Sequence, residues 1–306
     1  MSGVDAEGRH GMGLRSVPGV GPVTGTAISA DGTPIVFDRH GSGPALVLVH
    51  GAFTGRGHPT LTGVATGLAP WFTVFDYDRR GRGASGDTAP YAMEREIEDL
   101  AAVMAAAGGA AMVFGGSSGG ALALEAAARL PEVVKLAVWE PPYHVTPDAP
   151  DLPDDSPYAS GLSGDCAGDF GAPGGFGARL ARLVREGRRG AAVELFMVAA
   201  AQVPAELVAD MRASPSWAEL EALAHTLAYE AAVMGPGSAL PSRRLAAIDR
   251  PALVLNGELS PAWMAAAGRA VAAALPRAAH RVLEGQAHGV AAGALVPELL
   301  EFFVTG

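Results

Sequence analysis

Ala111-Met112-Val113-Phe114-Gly115-Gly116-Ser117-Ser118-Gly119-Gly120-Ala121-Leu122-Ala123-Leu124-Glu125 reads as an apolar strand, a turn of the smallest residues and a helix, with a serine at the apex. A turn that sharp strains the backbone of its apex residue. Strand and helix then pass so close that residues two places to either side must be almost free of side chain. The hydroxyl projects from the sheet edge, and the helix N-terminus behind it favours developing negative charge. The pattern points to acyl-transfer chemistry. It fits in two registers, Gly115-x-Ser117-x-Gly119 and Gly116-x-Ser118-x-Gly120. Ser117 is the favoured nucleophile, because the apolar strand ends at Phe114 and a small residue should follow it directly. Ser118 is the alternative; if Ser117 reacts, Ser118 supplies a backbone N–H. Such a pattern recurs by chance in a chain with 41 glycines, so the rest of the sequence has to decide.

Upstream, residues 23–40 alternate as two strands around Asp31-Gly32, a hairpin signal. Ala45-Leu46-Val47-Leu48-Val49 is apolar throughout, as in a strand covered on both faces, and ends at His50-Gly51-Ala52-Phe53. A helix is predicted from Pro59 to Leu68, a strand over 72–77, and over 91–107 a surface helix whose acidic start suits the dipole. Downstream, Val133 to Trp139 is a further strand, and the rhythm changes after Glu140-Pro141-Pro142. A Pro-, Asp-, Gly- and Ser-rich segment (145–177) leads into helical patterns at 178–199, 204–212 and 217–234. Strand and helix then alternate again: 251–256, 262–275, 280–283, 295–304. This is an α/β pattern with an insertion. Residues 1–21 are expected to be a flexible N-terminal segment, 22–142 and 246–306 the core, and 143–245 a helical lid.

The 306 residues are 49% hydrophobic and 18% charged, which suits one large soluble domain with an insertion. A net charge of −10 gives no basic face, so nucleic acid is not an expected partner. Lys135 is the only lysine, an arginine bias that reflects base composition more than function. The single Cys166 excludes an internal disulfide and a cysteine-based zinc site, and the eight histidines show no metal-ligand spacing, so no metal is expected. Without an export signal or an apolar run of membrane-spanning length, the reading is a cytoplasmic enzyme that does not act in a membrane. Gly81-Arg82-Gly83-Ala84-Ser85-Gly86 matches a dinucleotide fingerprint. However, Asp87-Thr88-Ala89-Pro90 keeps the chain in a loop, and the region where an acid is expected reads Val103-Met104-Ala105-Ala106-Ala107. A close-packed turn is expected there, with Asp78, Arg79 and Arg80 in local ion pairs, and no cofactor.

Three separated elements agree: His50-Gly51-Ala52-Phe53, the serine turn, and Gly285-Gln286-Ala287-His288. Together with Tyr77-Asp78-Arg79-Arg80-Gly81-Arg82-Gly83, which looks like a D-x-R-G-x-G loop, they resemble the α/β-hydrolase superfamily over residues 22–306. The resemblance implies an α/β-hydrolase fold: a mostly parallel central sheet flanked by helices, with an inserted helical lid. It implies Ser117 as nucleophile, His288 as general base and then acid, and an oxyanion hole from the backbone N–H groups of Ser118 and of Ala52 or Phe53. His50 is read as a buried brace for its loop. The usual acid position is occupied by Ser260 in Gly257-Glu258-Leu259-Ser260-Pro261. Glu140 is the expected replacement, because a charge between Trp139 and Pro141 at a strand end is costly unless partnered. Glu258 is the alternative. Gly116 departs from relatives with a larger residue there and widens the space beside the nucleophile.

The insertion is markedly apolar, so the expected substrate is a small-to-medium hydrophobic acyl compound. Candidate pocket residues are Phe53, Trp139, Tyr143, Phe196, His225 and Tyr229, the last two one helical turn apart. The leading expectation is a serine hydrolase acting on an ester or thioester through an acyl-enzyme. An acyltransferase or biosynthetic cyclase on the same scaffold is the alternative. A C–C bond hydrolase and a non-catalytic binder rank below these.

Overall fold

The computed structural model describes residues 21–145 and 175–305. The expectations for residues 1–20, for most of the segment 145–177 and for Cys166 lie outside the described residues. Eight strands form one sheet: β1 (Val23–Ile28), β2 (Pro34–His40), β3 (Ala45–Val49), β4 (Thr73–Tyr77), β5 (Ala111–Gly116), β6 (Val133–Trp139), β7 (Ala252–Gly257) and β8 (Ala278–Leu283). Their order is β1-β2-β4-β3-β5-β6-β7-β8, antiparallel at β1/β2 and β2/β4 and parallel from β4 to β8. In the hairpin, Gly32 takes φ 84°, and the Asp31 carboxylate accepts the Thr33 N–H at 3.0 Å.

The apolar strands are explained by layers on both faces. In β3, Val47 and Val49 point into one buried cluster and Leu46 and Leu48 into the other. The first cluster takes α2 (Met93–Ala106), α3 (Ser118–Ala127) and α10 (Ala262–Ala274); the second takes α1 (Pro59–Leu68) and α11 (Ala292–Val304). α3 is buried on every side, which its Ala/Leu/Gly composition allows. The expected surface helix α2 is corrected in one respect: its acidic Glu96 and Asp99 are buried.

The insertion carries α4 (Phe176–Arg185), α5 (Arg189–Ala199), α6 (Ala205–Arg212), α7 (Trp217–Ala222), a 3-10 turn at Ala224–Thr226, α8 (Leu227–Met234) and α9 (Ser242–Leu245). One helix was expected over 178–199; two form, because Gly187 takes φ 73° and breaks it. The expected 217–234 helix is likewise three shorter pieces. The insertion has its own buried cluster, including Phe176, Val193, Trp217 and Leu227, and the core residue Phe53 packs against it. Among the described residues no helix is long and apolar enough to cross a membrane.

Candidate active site

The loops after β3, β5, β6 and β8 open at the carboxyl ends of the parallel strands, where open α/β sheets form their crevice. Ser117 sits between β5 and α3 with φ 55° and ψ −129°. A left-handed non-glycine residue of this kind costs about 1–3 kcal/mol and persists only when its surroundings impose it. The surroundings here are backbone. A Cβ on Gly115 would overlap the Gly119 carbonyl, and one on Gly119 would overlap the carbonyls of Val49 and His50. A Cβ on Gly51 would lie 2.9 Å from Gly116 O and 3.0 Å from Ser117 Cβ. Ser117 is therefore at the apex, and Ser118 is the first residue of α3 with a buried side chain. Gly116, by contrast, has nothing within 4 Å of a Cβ.

β6 ends at Trp139, and Glu140 turns the chain at φ 45°, wholly buried. Its Oε2 lies 2.8 Å from His288 Nδ1, and its Oε1 accepts the Gly257 N–H at 2.8 Å. Asn256 Nδ2 donates to the same Oε1 at 3.4 Å and to Met264 O at 3.2 Å. Burial acts to raise the Glu140 carboxyl. The His288 contact, the nearby Ser260 hydroxyl and the Gly257 N–H outweigh it and hold the group below the usual glutamate range. With Glu140 ionised, His288 carries its proton on Nδ1 and leaves Nε2 as a proton acceptor. The His288 side chain is 42% exposed, and Trp139 Nε1 donates to its carbonyl at 3.0 Å, fixing the loop.

Ser117, Ser118, His288, Ala52 and Phe53 line one cavity of about 450 Å³. Its apolar wall includes Leu61, Trp139, Phe196, Met234 and Trp263. Phe53, at φ 58°, meets Phe196 of α5 edge-on at 5.6 Å, so the insertion touches the loop after β3 directly. Trp263 and His58 also line the cavity, and no sequence pattern pointed to either. Burial and the nearby His50 hold His58 below the usual histidine range. The buried His50 itself braces its loop through Nε2, 2.5 Å from Asp76 Oδ1.

Four candidates fall elsewhere. Glu258 does not reach His288; its Oε2 accepts the Gly285 N–H at 2.9 Å and shapes the loop before that histidine. Tyr143 is buried in the core cluster with Val233 and does not line the cavity. His225 and Tyr229 face away from it. His225 Nε2 is 2.8 Å from Gly81 O, and the Tyr229 hydroxyl donates to Asp87 at 3.0 Å while its ring stacks on Tyr91. One-turn spacing put both on one face, but packing turned that face to the arginine-rich loop.

That loop is corrected too. Its charges do not pair locally: Asp78 meets Arg56, Arg80 meets Asp99 and Asp31, and Arg79 meets Glu96 and Glu230. The G-x-G-x-x-G stretch closes on the Asp78 carboxylate, which accepts the Ala84 N–H at 2.9 Å, and a Cβ at Gly83 would collide with it.

A doubly wound sheet with a strained serine between strand and helix, and a buried carboxylate on a histidine that lines the same cavity, defines an α/β-hydrolase. Residues 46–293 match the alpha/beta hydrolase family, and the chain belongs to it; it is an enzyme of the hydrolase class. Among solved structures it is similar to an alpha/beta hydrolase from Sphaerobacter thermophilus DSM 20745, with 49% identity over 91% of this chain and 100% of that one (TM-score 0.77). The fold is shared with a hydrolase from Pseudomonas aeruginosa PA01 at 21% identity, TM-score 0.66, covering 92% of this chain and 98% of that one. The uncharacterized hydrolase YraK of Bacillus subtilis (strain 168) is 33% identical over 119 residues. That match spans 38% of this chain and 43% of the relative, less than half the length of each.

Proposed function

We propose that the protein is a serine esterase or thioesterase that cleaves an uncharged, hydrophobic, small-to-medium acyl compound through an acyl-enzyme. Ser117 attacks the acyl carbonyl, its proton passing to His288 Nε2. The tetrahedral oxyanion accepts backbone N–H groups of Ser118 and of Ala52 or Phe53, donors worth about 2.7–4 kcal/mol each. The proton on Nε2 then goes to the leaving alcohol or thiol, and water repeats the sequence to release the acid. Glu140 keeps the Nδ1–H tautomer and stabilises the imidazolium.

The observation that carries the reading is the 2.8 Å Glu140–His288 pair opening onto the cavity that Ser117 lines. The wall favours an apolar acyl group, and a cavity of about 450 Å³ falls in the about 300–1,000 Å³ range of small-molecule sites. The test is intact mass after treatment with an alkyl fluorophosphonate. Wild type and Ser118→Ala should gain one phosphonyl group and Ser117→Ala none; an unlabelled wild type would end the reading.

A further inference from the structure

Arg79 and Arg82 are the two variable positions of the D-x-R-G-x-G loop, and both are buried. They grip consecutive carbonyls of the loop after β3. Arg79 Nη1 donates to His50 O at 3.1 Å, and Arg82 Nη1 to Gly51 O at 2.5 Å and Thr54 O at 3.4 Å. Thr54 Oγ1 adds a second donor to Gly51 O at 3.0 Å. Both guanidiniums also meet one carboxylate of the insertion, Glu230 of α8: Arg79 at 3.1 Å, and Arg82 in a short contact. Glu96 completes the neutralisation of Arg79, with contacts of 2.6 and 2.7 Å. The same end of the insertion is seated by His225 on Gly81 O and by Tyr229 on Asp87 and Tyr91.

The consequence for the site is geometric. In a trans peptide the C=O and the following N–H point in opposite directions. Gly51, Ala52 and Glu230 line the cavity whereas Arg82 does not. Drawing the Gly51 carbonyl toward Arg82 therefore turns the Ala52 N–H away from Arg82, as a donor to the proposed oxyanion requires. We infer that Glu230 is a positioning residue: through Arg82 and Arg79 it ties the seating of the insertion to the orientation of the oxyanion loop. This rests on the serine-esterase reading. Removing the carboxylate leaves the buried Arg82 charge uncompensated, so the guanidinium shifts and the Gly51 carbonyl it holds shifts with it.

The test compares full-length wild type, Glu230→Gln and Arg82→Lys on a short-chain p-nitrophenyl ester, with an alkyl boronic acid as the tetrahedral analogue. A lysine ammonium lacks the planar fork that lets Arg82 bridge carbonyl and carboxylate together. A lost oxyanion donor removes roughly 10²–10³ in kcat, and a mis-set one should remove about 10- to 100-fold. The expected result is that fall in kcat, an equal rise in boronate Ki, and KM within about threefold, as for an interaction made only in the transition state. Should Glu230→Gln fail to accumulate folded, Arg82→Lys carries the same comparison. Two outcomes overturn the inference: kcat within about twofold of wild type, or KM and Ki rising together with kcat unchanged, the mark of a merely loosened cavity. A wild type that neither binds the boronate nor reacts with a fluorophosphonate instead removes the esterase reading itself.

Discussion

Glu140, on the sheet side of the cavity, and Glu230, on the insertion side, are both buried, and both ionise below the usual glutamate range. They reach that state by opposite means. Burial pushes each upward; at Glu230 the charges of Arg79 and Arg82 overcome it. At Glu140 the partners are an imidazole, an amide and a backbone N–H, none a permanent cation. A carboxylate already neutralised by two guanidiniums has little left for a charge that appears and disappears. One held by neutral donors keeps its field for an imidazolium. The contrast separates a carboxylate fit for proton-transfer chemistry from one that holds architecture together.

The contrast would break first at the cation itself: His288→Ala should reduce kcat by roughly 10⁶-fold, measured on any ester the wild type turns over. Next, Glu140→Gln should lower kcat by roughly 10⁴-fold, since the amide favours the wrong imidazole tautomer. Retention of near-full turnover would mean Ser117 and His288 act without an acid. Glu230→Gln, besides the fall in kcat expected above, should cost about 3–5 kcal/mol of stability, because it leaves buried arginine charge uncompensated; urea unfolding at pH 7 measures it. Acid should sharpen the comparison. A lowered folded-state pKa gives stability that is complete above the unfolded glutamate value near 4.3 and is lost as pH falls through the folded value. The stability gap between wild type and Glu230→Gln should thus hold from pH 7 to about 5 and narrow below about 4.3. Smallest of all, the exposed Glu258→Gln should change stability by about 0.5 kcal/mol or less, with turnover near wild type.

The fold was legible because its deciding constraints are local. A turn that admits only tiny residues, and strands apolar on both faces, can be read without knowing any partner. Glu140 was legible for a related reason: a charge between Trp139 and Pro141 at a strand end announces that something must pair with it. The arginine cluster was not. Asp78, Arg79 and Arg80 are neighbours in sequence and look self-satisfying, yet Arg79 finds Glu230 across 151 positions. Partner choice among buried charges is settled by tertiary packing. His225 and Tyr229 fail similarly, since helical spacing says which residues share a face but not where the face points. Gly187 was readable as a break but sat inside an otherwise strong helical pattern.

The interlocked glycines at 51, 115 and 119 have a practical meaning for redesign. Any side chain there would shift nucleophile and neighbouring loop as one body, so selectivity cannot be tuned at those sites without disturbing reactivity. Position 116 is the opposite: it lies on the cavity wall and offers a newly added carbon empty space. A saturation library at that single codon should redraw the list of accepted substrates while leaving the backbone beneath it untouched.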